Sequence, residues 1–267
     1  MPEPSGNERL RRYWDKHARS YDRQMRFFDR TLFGESRSWV CSQATGDVLE
    51  VAVGTGLNLP LYPPGVQLTG IEWSSQMLAL ARRRADELGR TADLREGDAQ
   101  ALPFPDASFD TVVCTLALCA IPDDRRAIAE MSRVLKPGGR LLLLDHVPSS
   151  AWPVRAIQRL IELVTVPLGG EHLLRRPLRL VQAEELEIEQ RAGSSLASSK
   201  GSLPASPPAH RPEGDGQADL AVRREAPALL GRASTTPSAR RTLEVRPLRH
   251  PGTRGRRGQP RNSHGLA

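Results

Sequence analysis

The sequence predicts an α/β fold: a doubly wound, mostly parallel sheet with helices on both faces, followed by a disordered C-terminal tail. Three observations carry this expectation. Between about residues 47 and 146, short β-branched or leucine-rich runs alternate with helical periodicities, the pattern of strands joined by crossover helices. Glycines, acids and a threonine close successive runs, at the strand ends where such sheets bind ligands. Sustained periodicity stops near Gly193, and no Phe, Tyr or Trp follows Trp152.

Residues 8–40 read as helical, because Leu10, Tyr13, Trp14, His17, Tyr21, Met25 and Phe28 recur at three- and four-residue steps. Residues 48–53 form the first strand and run into a turn around Gly54 and Gly56, where missing Cβ atoms let backbone N–H groups approach a ligand. A short helix begins at Asn58 and stops at Pro63, Pro64 and Gly65. Residues 66–71 are the second strand, ending in Glu72, where an acid about twenty residues past a glycine turn can hold a ribose diol. Ser74 or Ser75 caps the next helix, with Met77 and Leu78 facing the sheet. Residues 93–99 supply a third strand and turn. Residues 109–116 read as a buried fourth strand, with Thr115, Leu116 and Leu118 where it opens into the site. A helix over 123–135 closes at Lys136, Pro137, Gly138 and Gly139, and the leucine run 140–145 is a strand covered on both faces. Residues 148–180 should hold helices facing the substrate, including 154–166, and 181–190 the last helix and strand.

The glycine turn lacks the third glycine of a dinucleotide fingerprint, since Leu59 stands there, and lacks the Lys and Ser/Thr of a triphosphate loop. Glu50 at the strand end would repel a pyrophosphate and attract a cation. S-adenosylmethionine, with its sulfonium and ammonium, fits. With Glu50-Val51-Ala52-Val53-Gly54-Thr55-Gly56 in place, residues 47–146 resemble the class I S-adenosylmethionine-dependent methyltransferases, close to the quinone and phospholipid methyltransferases. Ala52 stands where the family pattern has its first glycine. The resemblance implies a Rossmann-like methyltransferase fold and an enzyme that transfers a methyl group to a small-molecule acceptor, lipid-like or quinone-like. It also implies a cofactor set of Tyr21, Glu50, Ala52, Gly54, Gly56, Asn58, Glu72, Trp73, Met77, Asp98, Ala99, Thr115 and Leu116. Within it Tyr21-Asp22 covers the cofactor, Glu72 holds the ribose, and Asp98 and Ala99 meet the adenine beside an apolar edge at Leu102, Pro103 and Phe104. No catalytic residue is assigned; His146 and His172 are the candidate bases if the nucleophile is protonated. The family's last antiparallel strand pair falls where this chain turns to low complexity, so a divergent or frame-shifted end would leave a sheet edge uncovered. The alternative is a cofactor-binding, catalytically impaired protein.

The domain expectation is an N-terminal helical cap over 1–46, the cofactor-binding domain over 47–190, and a basic, disordered low-complexity tail over 191–267. Residues 1–190 carry 24 Lys plus Arg against 26 Asp plus Glu, and residues 191–267 carry 14 against 5, so the net charge of +7 resides in the tail. Without aromatic side chains to stack on bases, the tail argues against a specific nucleic-acid partner. No apolar run reaches membrane-spanning length, peripheral membrane contact stays open, and the absence of a signal pattern points to the cytoplasm. The three cysteines, Cys41, Cys114 and Cys119, lack disulfide or zinc spacing and should be reduced and buried, with no metal site.

Overall fold

The computed structural model describes residues 6–29, 35–184, 186–192 and 217–224. Seven strands, β1 (Asp47–Val51), β2 (Gln67–Glu72), β3 (Ala92–Glu96), β4 (Phe109–Thr115), β5 (Leu135–His146), β6 (Leu186–Ala192) and β7 (Gln217–Arg224), form one sheet in the order β3-β2-β1-β4-β5-β7-β6. The first five pair in parallel, and β7 pairs antiparallel with β5 and β6. The connection from β3 to β4 crosses to the other side of β1, so the strand order reverses at β1 and β4 and opens a crevice at their C-terminal ends.

Alternation along the strands divides the core between the two faces. On one, Leu49, Val51, Val112, Cys114, Leu141 and Leu143 pack with Ile128 and Met131 of α4 (Asp124–Val134). On the other, Val48, Val113, Leu142 and Leu144 pack with Leu78, Ala81 and Ala85 of α3 (Ser75–Glu87) and with Val40 and Cys41 of α2 (Ser36–Ser42). Ser74 caps α3 by accepting the Met77 N–H, as its position before the helix requires. All three cysteines are buried free thiols.

The structure corrects the sequence reading at several places. The N-terminal helical stretch holds two helices, α1 (Gly6–Phe28) and α2, and residues 30–34 between them lie outside the described residues. The stretch begun at Asn58 is a single 3-10 turn, Leu59–Leu61. Strand β5 begins at Leu135: Phe109 pairs with Leu135 and Thr111 with Arg140, so the Pro-Gly-Gly stretch is a bulge within the strand. The edge of β5 is not uncovered, because β7 pairs along it from Arg140 to His146. Residues 217–224, placed in the disordered tail by composition, are that strand; residues 193–216 and 225–267 of the expected tail lie outside the described residues. Helix α5 (Trp152–Gly169) is longer than the expected 154–166, and α6 (Pro177–Ala183) leads into β6.

Candidate functional site

The C-terminal ends of β1, β2 and β4 meet under α1 and enclose an open cleft of about 710 Å3. Ten of the thirteen residues expected at the site line it: Tyr21, Ala52, Gly54, Glu72, Trp73, Met77, Asp98, Ala99, Thr115 and Leu116. A smaller recess of about 240 Å3 adjoins it through Tyr21, Ala52, Gly54 and Thr115 and adds Arg37 and Asn58. Two expected residues line neither space. Glu50 is buried beneath the turn, 1% exposed. Gly56 serves packing: a Cβ there would lie 2.7 Å from Leu59 Cδ1 and 3.2 Å from Ala81 Cα. Gly54 differs, since a Cβ built on it meets nothing within 4 Å. Its missing side chain leaves the cleft open.

The turn is held by Glu72, whose Oε2 accepts the Gly54 N–H at 2.9 Å and whose Oε1 accepts the Ser74 N–H at 2.8 Å. Burial raises the Glu72 pKa despite these bonds. Asp98 accepts from the Gln100 N–H and side-chain amide, at 2.9 and 3.0 Å through Oδ1. Leu102 and Phe104 do not form an edge of the cleft; Leu102 is buried in the core, and Phe104 packs edge-on against Phe109. Leu118 is likewise a core residue.

Behind the recess lies a buried polar network. Asn58 Nδ2 donates to Glu50 Oε1 and to Thr115 Oγ1, both at 2.8 Å, and Arg37 Nη1 donates to Asn58 Oδ1 at 3.2 Å and to Thr115 Oγ1 at 3.3 Å. Asp29 accepts from Arg37 Nε at 2.9 Å. Arg37 Nη2, Glu50 Oε2 and the Tyr62 hydroxyl are buried without a well-formed hydrogen bond, although the Tyr62 hydroxyl lies against the Glu50 carboxyl and opposes the rise of its pKa. Burial pushes the Glu50 pKa up to about 7 and that of Tyr21, which lines both spaces, to about 12. Sequence reasoning missed Arg37. The signal was its place at the first position of an i, i+3, i+4 stripe with Val40 and Cys41, a charge on an otherwise apolar helix face.

Backbone strain collects at the same edge. Ala52 and Leu116, at the ends of neighbouring strands β1 and β4, have φ of 57° and 52°, a left-handed conformation costly for any residue with a Cβ. Ala52 thus holds a backbone conformation that favours glycine, the residue the family pattern has there. Nothing in the sequence marks Leu116 as strained, although it is among the residues expected at the site.

Helix α1 roofs the cleft with Trp14 and Tyr21 and is tied down by polar groups. Asp22 accepts from Thr55 Oγ1 at 2.6 Å and pairs with Arg84, and Asp15 accepts from Ser74 Oγ at 2.6 Å and from the Gln76 N–H at 3.2 Å. The opposite wall, which includes Ala120, Ile121 and Pro122, is held by Arg175, whose guanidinium donates to the carbonyls of Leu118 at 2.6 Å and Pro122 at 3.1 Å.

Neither candidate base lines the cleft. Burial, reinforced by Arg37, lowers the His146 pKa to about 4, so its ring is neutral near pH 7. The His172 backbone N–H donates to the Cys119 carbonyl at 2.8 Å, and burial lowers its pKa as well. Among the described residues no cluster suited to a metal ion occurs.

A family profile described as "Methyltransferase domain" matches residues 49–143. A phosphatidylethanolamine N-methyltransferase of Cereibacter sphaeroides is 41% identical over 126 residues, 46% of this chain; the chain spans 62% of that relative's length. The ubiquinone/menaquinone biosynthesis C-methyltransferase UbiE of Geobacter sulfurreducens is 35% identical over 178 residues, 61% of this chain and 68% of its own. Among solved structures, a SAM-dependent methyltransferase of Thermotoga maritima superposes with a TM-score of 0.61 at 22% identity, covering 80% of this chain and 99% of that one, which is a likeness of fold.

Proposed function

The chain belongs to the class I S-adenosylmethionine-dependent methyltransferase family, and from that premise we propose that it transfers a methyl group from S-adenosylmethionine to a small, apolar acceptor, lipid-like or quinone-like. The observation that carries the reading is the convergence of Ala52, Gly54, Glu72, Asp98 and Thr115, from separate strand ends, on one cleft. The residues present suit the cofactor. Gly54 leaves room that any side chain would fill, and the orphaned Arg37 Nη2 is a cationic donor for a carboxylate beside the recess. In this reading Glu72 holds the ribose hydroxyls, Asp98 and Ala99 meet the base, Arg37 and Asn58 receive the amino-acid end, and Glu50 supplies negative charge beneath it.

When bound, the cofactor supplies a methyl group on a sulfonium, whose departing thioether needs no acid. The protein's task is then to orient and to exclude water, which can contribute several kcal/mol. Tyr21 and Trp14 close the cleft from α1, while Leu116, Ala117, Ala120, Ile121 and Pro122 give it an apolar wall. That wall, and relatives named for phosphatidylethanolamine and for ubiquinone and menaquinone, support an apolar acceptor. The alternative of a chain crippled by a lost last strand is disfavoured, because β6 and β7 complete the sheet.

Calorimetric titration with S-adenosylmethionine tests the reading, with Glu72→Ala and Glu72→Gln variants beside the wild type and a nicotinamide dinucleotide as control. The expected result is binding of S-adenosylmethionine alone, weakened at least tenfold, about 1.4 kcal/mol, in Glu72→Ala. A folded protein that binds neither ligand, or binds the dinucleotide instead, overturns it.

A further inference from the structure

The outward faces of α1 and α5 take no part in the cleft, and they have complementary chemistries. On α1 the exposed positions Arg9, Arg12, Lys16, Arg19, Arg23 and Arg26 recur at three- and four-residue steps, so six cations form one stripe along the side turned away from buried Ala18 and Met25. Glu8, the sole exposed acid on this helix, is paired with Arg12 of the stripe, and Asp15 and Asp22 are turned inward to Ser74 and Thr55. The helix ends in the exposed rings of Phe27 and Phe28.

On α5, Trp152, Ile157, Leu160, Ile161, Leu163, Val164 and Leu168 are between 43 and 72% exposed. With Pro153, Ala156 and Pro167 they form a broad outward arc free of charge, and the exposed Arg155 and Arg159 stand at its margin. The two helices are neighbours: a Cβ on Gly169 at the end of α5 would lie 2.5 Å from the Tyr13 ring of α1, and one on Gly170 would lie 3.1 Å from Leu10. An apolar patch of this extent marks a binding surface. No helix among the described residues is long and apolar enough to cross a membrane, so the arc is suited to lying on a surface.

We infer that α1 and α5 together dock the protein on an anionic phospholipid bilayer, the α5 arc entering the headgroup boundary while the α1 cations meet lipid phosphates. The pairing of a polybasic face with an apolar one decides the occupant, because lipid surfaces offer anionic charge over hydrocarbon. A second copy of the chain seated on α5 would bring another cationic α1 alongside, and like charges oppose that. A nucleic acid would use the cations and leave the apolar arc in water. The inference stands on surface chemistry alone and does not depend on the methyltransferase reading.

The test is flotation of the full chain with vesicles of phosphatidylglycerol and phosphatidylcholine, against pure phosphatidylcholine, at low and high salt. Two triple variants accompany it, Lys16→Gln/Arg19→Gln/Arg23→Gln and Leu160→Gln/Leu163→Gln/Val164→Gln, all at exposed positions, with circular dichroism to confirm folding. Near an anionic surface each cation contributes about a factor of five, so the cation triple should weaken partitioning roughly 100-fold. The apolar triple should weaken it at least tenfold. Wild-type binding to anionic vesicles that salt reduces, lost in both variants, supports the proposal. Failure of the wild type to float overturns it. So does binding that survives either triple, which would assign it to other basic residues or to a plain polyanion site that duplex DNA competes for. An α5-dependent dimer without vesicle binding overturns it in favour of a second copy.

Discussion

Replacing Glu50 with Gln should stabilise the ligand-free protein near neutral pH, contrary to the usual cost of altering a buried, hydrogen-bonded residue. Glu50 is 1% exposed, one of its oxygens makes no well-formed hydrogen bond, and burial, only partly opposed by Asn58 and Tyr62, holds its pKa at about 7 against an ordinary 4.5. A carboxyl whose folded pKa is raised favours the folded state fully below pH 4.5, and that contribution is lost as pH rises through 7. At 1.36 kcal/mol per unit the loss is about 3 kcal/mol above pH 7. Other groups shape the wild-type profile as well, among them Glu72 and Glu171, both raised by burial. Asp145, raised by burial to about 6, acts in the same direction between 3.8 and 6. His146, lowered to about 4, acts in the opposite sense: its neutral burial is harmless above pH 6.5 and costs stability as pH falls from there through 4. All of these are present in either protein, so the difference between variant and wild type isolates Glu50. Urea unfolding across pH 4.5–8 should show little difference at the acid end and a Glu50→Gln advantage growing to about 3 kcal/mol at the alkaline end. A variant equal to or weaker than wild type at pH 8 refutes the reasoning, because Glu50 would then be compensated by groups other than those seen here. The same variant should gain less stability from S-adenosylmethionine than wild type does, since a neutral amide cannot answer a cation.

Ala52→Gly should stabilise the protein by up to about 1 kcal/mol, the left-handed penalty of about 1–2 kcal/mol being partly offset by glycine's entropy; a destabilised variant in chemical denaturation would show that the methyl group packs usefully. Asn58→Ala removes the partner of Glu50 Oε1 and one partner of Arg37, and should cost about 1–3 kcal/mol. Adding Glu50→Gln should recover part of that loss, and strictly additive effects in the double-mutant cycle would mean that the two side chains are uncoupled. Asp22→Ala releases the link from α1 to Thr55 and Arg84 and should raise hydrogen exchange in α1 while leaving β1 and β4 protected. Uniform loss of protection across the sheet would contradict the view of α1 as a separately opening element.

The parallel sheet was legible because both of its signals are local. β-Branched runs such as that ending at Val53 and the leucine run before Asp145 announce strands buried on both faces, and caps such as Ser74 mark where helices begin. The strand-end residues were legible for the same reason, since a C-terminal strand end is a sequence position. What could not be read was set by partners distant in sequence. Residues 217–224 carry only Ala, Leu and Val among polar residues, too few apolar side chains to suggest a strand alone; pairing along β5 on one side and β6 on the other supplies the hydrogen bonds. Arg37 gains its place from the fold, which brings Asn58 and Thr115 to its guanidinium. Gly56 matched a ligand-turn pattern, yet it lines no part of the cleft, and its constraint comes from its own φ of 79° together with Leu59 and with Ala81 of α3 packed against it.

Most of the places where local rules fail fall at or beneath the site. Two non-glycine residues at positive φ, an arginine nitrogen and a carboxylate oxygen without well-formed hydrogen bonds, and a carboxyl raised toward neutrality lie at or just beneath the ends of β1 and β4. The third non-glycine residue at positive φ among those described, Ala107, sits in the turn before β4 at the opposite end of that strand. A fold that satisfied only itself would give Arg37 Nη2 and Glu50 Oε2 partners or replace both residues by apolar ones, because breaking or half-satisfying a buried pair is more costly than omitting it. Their retention supports the proposal that a ligand carrying both signs of charge meets them. In this reading part of the affinity for such a ligand is relief of cost already present in the empty protein, and the sheet, well packed on both faces, is what keeps that cost from relaxing away.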